Sequence, residues 1–249
     1  MKNKILYTLV FAIALFSCKK AGDRSCWKGS GDTESLTIAL GDFHTLVVKP
    51  KVQVTLVPDT VNYLEIDGFE NLNNQLTYEI VNGELTLVNS NKCDFLRSYK
   101  KKAIPVKVHF REMDFLDFHG TEPLYTQGVI TGNKFDFQCI DGAGTVHLNV
   151  DVTNFSAVQG NGFGNYIVSG QCVSAKHILA NNGYCDALNL SVSENLNVVN
   201  RSQADGKFNI SNTQNVRLQT IAAGDIQYRG TAVNLEKSEL STGRIYQIN

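Results

Sequence analysis

The stretch VQGNGFGNYIVSG, residues 158–170, carries glycine at positions 160, 162 and 164 and continues directly into the apolar residues Tyr166, Ile167 and Val168. Glycine at this density is unfavourable in a helix, and the apolar flanks are not typical of a disordered linker. Closely spaced glycines also occur in dinucleotide-binding fingerprints, where they lie between a strand and a helix. The rest of the chain decides between a nucleotide site and a repeated turn.

A similar turn recurs along the C-terminal half of the chain. Its copies read DGAGTVHLNV at 141, GNGFGNYIVSG at 160, NNGYCDALNLSV at 181, QADGKFNIS at 203, AAGDIQYRG at 222 and STGRIYQIN at 241. Intervals of 20, 21, 21, 18 and 19 residues separate the aligned positions Gly144, Gly164, Cys185, Gly206, Gly224 and Gly243. Each is followed, after one residue, by Val146, Tyr166, Ala187, Phe208, Ile226 and Ile245. The segment HGTEPLYTQG at 119 reads as a degenerate earlier copy.

A fixed period of about 20 residues, built from short β-like segments and turns, is the signature of a solenoid. The segments between turns, such as FDFQCI, FSAVQG and VRLQTI, show the alternating or β-branched apolar pattern of strands. The sequence therefore predicts an all-β fold, a parallel β-helix (β-solenoid) with coils of about 20 residues. We interpret the glycines as corners at positive φ, where they avoid the Cβ penalty, and not as a phosphate cradle.

The first part of the domain has a different pattern. HTLVVKP and KVQVTLVP suggest two strands, and LTYEIVNGELTLVN predicts a hairpin with Asn82 and Gly83 as its two-residue turn. FENLNNQ is expected to form one helical turn. We assign residues 36–112 to N-terminal strands and a hairpin that cap the solenoid, and residues 113–249 to the repetitive solenoid, as one domain.

The N-terminus predicts export and lipid attachment. Two lysines in MKNK precede an apolar run of 12 residues, Ile5 to Phe16, which is too short to span a bilayer core of about 30 Å. LFSC, ending at Cys18, resembles a lipobox, so we expect a signal peptide at residues 1–17, a membrane anchor at Cys18 and a polar tether at residues 18–35. The alternative is an ordinary signal peptide with a chance cysteine.

Five cysteines remain after Cys18, so at least one stays free. Cys26 and Cys93 lie among polar residues before the repeats, and we expect them to form a disulfide worth about 4 kcal/mol by the chain-entropy model. Three others occupy repeat positions typical of small buried hydrophobes: Cys139, Cys172 and Cys185. A metal site combining these with His147 and His177 is the alternative, but no CxxC or HxxxH spacing supports it, so we assign no metal and no cofactor.

Three stretches together carry a family resemblance. They are the SC at 17 followed by CWKGSGD, then NKCDFLRSYKKKAIPVKVHF, then the serial glycine turns that end in GDIQYRG. Over roughly residues 36–235 the chain resembles the head GIN domain family of "putative auto-transporter adhesins". The resemblance implies a right-handed β-helix on a Bacteroidota-type lipoprotein of the cell envelope, on the outer-membrane side, with a role in adhesion. The chain departs from the glycine-rich pattern at NNGYCDA and NRSQADG.

Parallel β-helices also carry polysaccharide lyases and hydrolases, which need clustered carboxylates. Aspartates fall near equivalent turns, with Arg201 and Lys207 close in sequence: Asp141, Asp186, Asp205 and Asp225. Aspartate is also favoured at turns for local hydrogen bonding alone. No GxSxG, HExxH or P-loop occurs. We therefore assign no catalytic residue and keep a polysaccharide-active enzyme as the alternative.

Charge narrows the choice of partner. The formal net charge of −1 argues against nucleic acid. A basic cluster next to Tyr99 could meet anionic headgroups or acidic glycans, or could be a solvated loop: Arg97, Lys100, Lys101 and Lys102. The sequence thus favours a non-catalytic lipoprotein of the cell envelope that binds a glycan or a surface protein. It specifies neither the ligand nor the oligomeric state.

Overall fold

The computed structural model describes residues 29–91, 103–180 and 182–249. These residues form eighteen strands and one short helix, α1 (Glu70–Asn73). The strands are β1 (Thr33–Ala39), β2 (Thr45–Val48), β3 (Val52–Pro58), β4 (Tyr63–Phe69), β5 (Leu76–Val81), β6 (Glu84–Asn89), β7 (Ile104–Phe110), β8 (Phe115–Phe118), β9 (Leu124–Thr126), β10 (Ile130–Ile140), β11 (Thr145–Gly160), β12 (Asn165–Ala180), β13 (Cys185–Asn200), β14 (Gly206–Asn209), β15 (Asn215–Thr220), β16 (Ile226–Arg229), β17 (Asn234–Glu239) and β18 (Ile245–Gln247). Among the described residues, no helix is long and apolar enough to cross a membrane.

The C-terminal half is a β-solenoid whose coils stack in parallel. β11, β12 and β13 each run for 16 residues, and each pairs with the next in parallel, one coil apart, as at Val146 and Tyr166 or Phe155 and Ala175. Burial alternates along each strand because successive side chains point to opposite faces. The predicted all-β solenoid with coils of about 20 residues is confirmed, and the structure shows about 7 turns.

The inward rows form one continuous core. Phe135 stacks on Phe155 with ring centroids 6.4 Å apart, and Phe137 meets Tyr166 edge to face at 5.4 Å. All four side chains are almost fully buried. Burial of an aromatic or aliphatic side chain contributes about 1.5–3 kcal/mol. The core therefore holds each coil to its neighbours, and the outward rows are left for other roles.

The pairing produces two stacks on two sides of the solenoid. The first side runs through β1, β4, β7, β3, β9, the N-terminal parts of β11–β13, then β14, β16 and β18. The second side runs through β5, β6, β2, β8, β10, the C-terminal parts of β11–β13, then β15 and β17. Between the two sides, segments of β10, β11, β12 and β13 form a third row, in which each strand pairs in parallel with the next, as at Ile130 and Val150.

The N-terminal strands extend both sides of the solenoid as a curled mixed sheet. β2 pairs in parallel with β8 on one edge and with β6 on the other. In the same way, β3 pairs in parallel with β9 and with β7. The order of coils in space therefore differs from their order in the chain. Asn82 and Gly83 form the predicted hairpin turn, with φ of 51° and 79°. The segment predicted as a polar tether to residue 35 already enters β1 at Thr33.

The structure corrects the alignment of two coils. Tyr166 pairs with Cys185, and Cys185 pairs with Gly206, which in turn pairs with Ile226. Cys185 and Gly206 are therefore strand positions that face the core, and were wrongly aligned with the corners. The corner positions are Glu122, Gly144, Gly164, Gly183, Ala204, Gly224 and Gly243. The last six are spaced by 20, 19, 21, 20 and 19 residues.

The reason for glycine at these corners also differs from the prediction. Among the described residues, positive φ occurs at neighbouring positions such as Asp141, Asn161 and Gly162, and not at Gly144, Gly164, Gly206, Gly224 or Gly243. At the true corners the chain passes very close to the previous coil. A Cβ at Gly183 would lie 2.0 Å from the backbone oxygen of Gly164, and one at Gly224 would lie 2.2 Å from that of Ala204. Close approach of two backbones therefore excludes a side chain at Gly183 and Gly224.

The C-terminal coil covers its own open end with charged side chains. The inward row that holds Leu218 ends at Lys237, and the row that holds Thr220 ends at Glu239. The Lys237 ammonium donates to the hydroxyl of Tyr228 at 2.5 Å and lies 4.5 Å above its ring centroid. Glu239 accepts the backbone N–H of Ile245 at 2.6 Å. Inward-pointing charges of this kind discourage pairing at a sheet edge.

Candidate functional site

The outward face of the second side carries a regular set of polar side chains, which we call the polar flank. Its first row contains Lys134, Asn154, Ser174, Asn195, Asn215 and Asn234. Its second row contains Asp136, Ser156, Lys176, Asn197, Arg217 and Glu236. The alternation of each strand turns both rows outward, because the residue between them is buried, as at Phe155, Leu196 and Val216.

Hydrogen bonds between carboxamides link the first row into a ladder. Asn234 Nδ2 donates to Asn215 Oδ1 at 3.0 Å, and Asn215 Nδ2 donates to Asn195 Oδ1 at 3.2 Å. Asn195 Nδ2 then donates to Ser174 Oγ at 3.3 Å. Stacked asparagine ladders are a recurrent feature of parallel strands in register. The ladder fixes the amides in one orientation on an exposed surface.

Two shallow grooves lie along the polar flank and share Asn195. The first has a volume of about 570 Å³ and is lined by the C-terminal ladder residues together with Arg217 and Glu236. The second has a volume of about 380 Å³ and contains Lys134, Asp136 and Lys176. Because they share a residue and follow the same rows, the grooves form one polar surface that crosses several coils.

The aspartates that the sequence grouped as a potential carboxylate cluster occupy three separate rows. Asp225 N donates to Asp205 Oδ1 at 2.9 Å, and Arg244 N donates to Asp225 Oδ1 at 2.8 Å, so these two carboxylates join successive coils at a corner. Asp186 lies in the outward row of the first side, paired with Lys207, and accepts the backbone N–H of Leu188. Asp141 is a corner residue with φ of 58°. The pairing does not align these four side chains.

The cysteines of the repeats are buried in the core and free: Cys139, Cys172 and Cys185. Burial raises the pKa of the Cys139 thiol to about 11 and that of Cys172 to about 12, so both favour the neutral thiol. His177 is also buried, bonded through Nδ1 to the hydroxyl of Tyr166 at 2.7 Å, and burial lowers its pKa to about 3. His147 lies elsewhere, stacked on Tyr125 at 4.8 Å. Within the described ranges, no group of three suitable side chains could hold a metal ion.

A cluster near the N-terminal end was not predicted from the sequence. His109 Nδ1 lies 2.9 Å from Asp59 Oδ2, its ring stacks on Tyr63 at 3.9 Å, and Lys107 Nζ lies 3.0 Å from Glu65 Oε2. The hydrogen bond from the Thr60 N–H contributes most to lowering the pKa of Asp59, and the hydrogen bond with His109 comes next. Hydrogen bonding to Glu65 raises the pKa of Lys107. The partners are up to 50 residues apart in sequence, and the pairing of β7 with both β3 and β4 brings them together.

Several predicted sites lie outside the described residues. They are the signal peptide at residues 1–17, the lipidation site Cys18, the proposed disulfide partners Cys26 and Cys93, and the basic cluster formed by Arg97, Lys100, Lys101 and Lys102 beside Tyr99. Lipidation and the disulfide therefore stay predictions.

Comparison with known proteins identifies relatives of the whole domain. The family model described as "Putative auto-transporter adhesin, head GIN domain" matches residues 42–232. A search of curated proteins found no match. The chain is similar to the crystal structure of a putative adhesin from Bacteroides fragilis NCTC 9343, with a TM-score of 0.76, 16% identity, and coverage of 87% of this chain and 97% of that one.

Two structures from Parabacteroides are also similar. One is described as a putative lipid binding protein from Parabacteroides distasonis ATCC 8503, with a TM-score of 0.65, 20% identity, and coverage of 89% of this chain and 98% of that one. The other is a putative adhesin from Parabacteroides merdae ATCC 43184, with a TM-score of 0.60, 15% identity, and coverage of 89% and 98%. At these identities the matches show a shared fold. None of the descriptions names a catalytic activity.

Proposed function

The chain belongs to the family of putative auto-transporter adhesins with a head GIN domain, and from this we propose that it is a non-catalytic binding module of the cell envelope whose polar flank holds a glycan. Adhesion requires an exposed surface that is rigid before the ligand arrives. The solenoid supplies such a surface, because β11, β12, β13 and β15, which carry most of the polar flank, are paired on both edges.

The observation that carries this proposal is the hydrogen-bonded ladder on the polar flank. Asn195, Asn215 and Asn234 present oriented carboxamides on an exposed face, and a carboxamide can donate to and accept from sugar hydroxyls. Arg217 lies beside them in the neighbouring row. On the first side, one outward row mixes Ile167, Asp186 and Lys207. The other outward row there, Asn149, Ser169 and Asn189, has one hydrogen bond between its described side chains, from Ser169 Oγ to Asn149 Oδ1 at 3.4 Å.

We predict that removing the polar flank groups weakens glycan binding at least about tenfold, equivalent to about 1.4 kcal/mol. The test variant is Asn215→Ala/Arg217→Ala, which removes one amide and one cation from the first groove. A glycan array followed by calorimetry on the bound glycans measures the dissociation constant. The matched control, Asn189→Ala/Lys207→Ala, likewise removes one amide and one cation, from outward positions of the first side, and should change the constant less than about twofold.

Equal losses in the two double variants would contradict the assignment of the glycan to the polar flank. Retention of full affinity in Asn215→Ala/Arg217→Ala would contradict it as well. If no glycan bound the wild-type protein but a surface protein did, the flank would be a protein-binding surface, the alternative that the sequence left open.

We also predict lipid attachment at Cys18, which would hold the binding module at a membrane, most simply the outer membrane of the cell envelope. Burial of acyl chains contributes about 0.8 kcal/mol per methylene, so a lipidated cysteine anchors a folded domain. Metabolic labelling with a palmitate analogue should mark the wild-type protein and spare Cys18→Ala. Equal labelling of the two proteins would exclude Cys18 as the anchor.

A further inference from the structure

We infer that the ligand of the polar flank is a linear polysaccharide that lies along the solenoid axis, across the coils, and carries a carboxylate opposite Lys176. This inference rests on the proposed function and adds the shape and the charge of the ligand. Three observations carry it: the spacing of the polar rows, the unused hydrogen-bonding capacity of the ladder, and the distribution of charge.

The spacing of the rows favours a polymer over a compact ligand. Each row contributes one side chain per coil from β10 to β17, and neighbouring strands of a sheet lie about 4.8 Å apart. Six successive positions, from Lys134 to Asn234, therefore span about 24 Å. The two grooves cover the same length and meet at Asn195. A single sugar would contact only one or two coils, whereas an extended chain along the axis contacts them all.

The carboxamides of the ladder have more hydrogen-bonding groups than the ladder itself uses. Asn215 uses one N–H to donate to Asn195 and one lone pair to accept from Asn234. A carboxamide has two N–H donors and two acceptor lone pairs, so the ladder bonds leave one donor and one acceptor of Asn215 for solvent or a ligand. Asn195 and Asn234 repeat the same amide group one coil to either side of Asn215. A polymer that repeats hydroxyl groups along its length is the chemical complement of this row.

The charges of the polar flank are balanced at its two ends and unbalanced in the middle. Lys134 Nζ lies 2.6 Å from Asp136 Oδ2, and Arg217 Nε lies 3.6 Å from Glu236 Oε1. Lys176 lies between these pairs, is exposed, and forms no ion pair within the part of the chain that the structure describes. Its row neighbours, Ser156 and Asn197, are neutral. A carboxylate on the ligand would supply the missing partner.

The test uses di-, tetra-, hexa- and octasaccharides of polygalacturonate, alginate and hyaluronan, each with its carboxyl-reduced counterpart, and measures dissociation constants by calorimetry on the full-length protein. At least one carboxylated series should gain about tenfold or more in affinity between the disaccharide and the hexasaccharide. Its carboxyl-reduced form should bind at least about tenfold more weakly. Lys176→Gln should lose the same factor on the carboxylated form and little on the reduced form, while Lys207→Gln should bind as wild type.

A second variant tests the orientation of the chain. Asn234→Ala removes the last rung of the ladder, so it should weaken the octasaccharide and leave the disaccharide unaffected. The inference is overturned if affinity is already maximal at the disaccharide, if no carboxylated series binds, if carboxyl-reduced forms bind equally, or if Lys176→Gln binds as wild type. If Asn215→Ala/Arg217→Ala still weakens binding of a neutral glycan in those cases, the proposed function survives without this inference.

Discussion

Replacing Gly183 by alanine should lower the free energy of unfolding by about 3 kcal/mol, at the upper end of the usual cost of overpacking. The added Cβ would lie 2.0 Å from the backbone oxygen of Gly164 and 2.6 Å from its carbonyl carbon. Both atoms belong to the chain of the adjacent coil, so they cannot rotate away as a side chain would. Either the two coils move apart or the strand pairing between β12 and β13 breaks near Tyr166.

Thermal unfolding followed by circular dichroism measures this effect. For a domain of this size, a change of 1 kcal/mol shifts the melting temperature by about 2–4 °C, so a fall of roughly 6–12 °C is expected. Gly160→Ala is the matched control, because its Cβ would meet Ile140 at an ordinary distance of 3.5 Å and its φ is not positive. That variant should be neutral or gain about 0.5 kcal/mol through the unfolded state. Equal melting temperatures for the two variants would contradict the role assigned to the corners.

Replacing both Lys237 and Glu239 by leucine should convert the protein from its wild-type association state into larger, concentration-dependent assemblies. The two charges follow the buried residues Leu218 and Thr220 of the preceding coil in the inward rows. Leucine at both positions would leave an apolar end beside Val233 and Leu240, which are already 65% exposed. Among the described residues, β17 and β18 each pair along one edge only, so that end would offer both strands and apolar surface to a second molecule.

Analytical ultracentrifugation over a range of concentrations measures the outcome. The control is Glu236→Leu/Ser238→Leu, which places the same two leucines on the same strand but on its outward side. Since those side chains point away from the open end, this variant should stay close to the wild-type sedimentation behaviour. Association of the control to the same extent would indicate that added hydrophobic surface alone causes it. A Lys237→Leu/Glu239→Leu protein that sediments as wild type would show that the charges do not protect the end.

The sequence was sufficient to predict the fold because the solenoid repeats its pattern. Alternating apolar residues and turns every 20 residues identified the strands, and Asn82–Gly83 identified the hairpin. The corners of two coils were harder to locate from the sequence. Gly206 lies at a core position, where it leaves room for Phe208, because a Cβ there would lie 2.7 Å from the Phe208 ring. A glycine required by side-chain packing and a glycine required by close backbone approach look the same in one sequence.

The candidate site was less accessible to sequence reasoning. Asn195, Asn215 and Asn234 lie within or at the start of strands and face outward, away from the glycine turns on which the sequence-based prediction rested. Their spacing of 20 and 19 residues was a signal that could have revealed a ladder. The cluster of Asp59, Tyr63 and His109 gave no comparable signal, because its members come from a loop and two antiparallel strands without a shared period.

The placement of β2 and β3 between strands that come later in the chain has a consequence for the order of folding during synthesis. A chain emerging from the ribosome releases residues 45–58 before the strands that pair with them. Those strands gain neighbours on both edges only after residues 84–110 and 115–126 have followed. Until then these two strands, which are rich in valine and leucine, have unpaired edges. Unpaired strand edges make a nascent chain prone to aggregate or to bind chaperones. The coils from residue 130 onward can instead each add to a finished neighbour, so the slow step of biogenesis should lie in the first half of the chain.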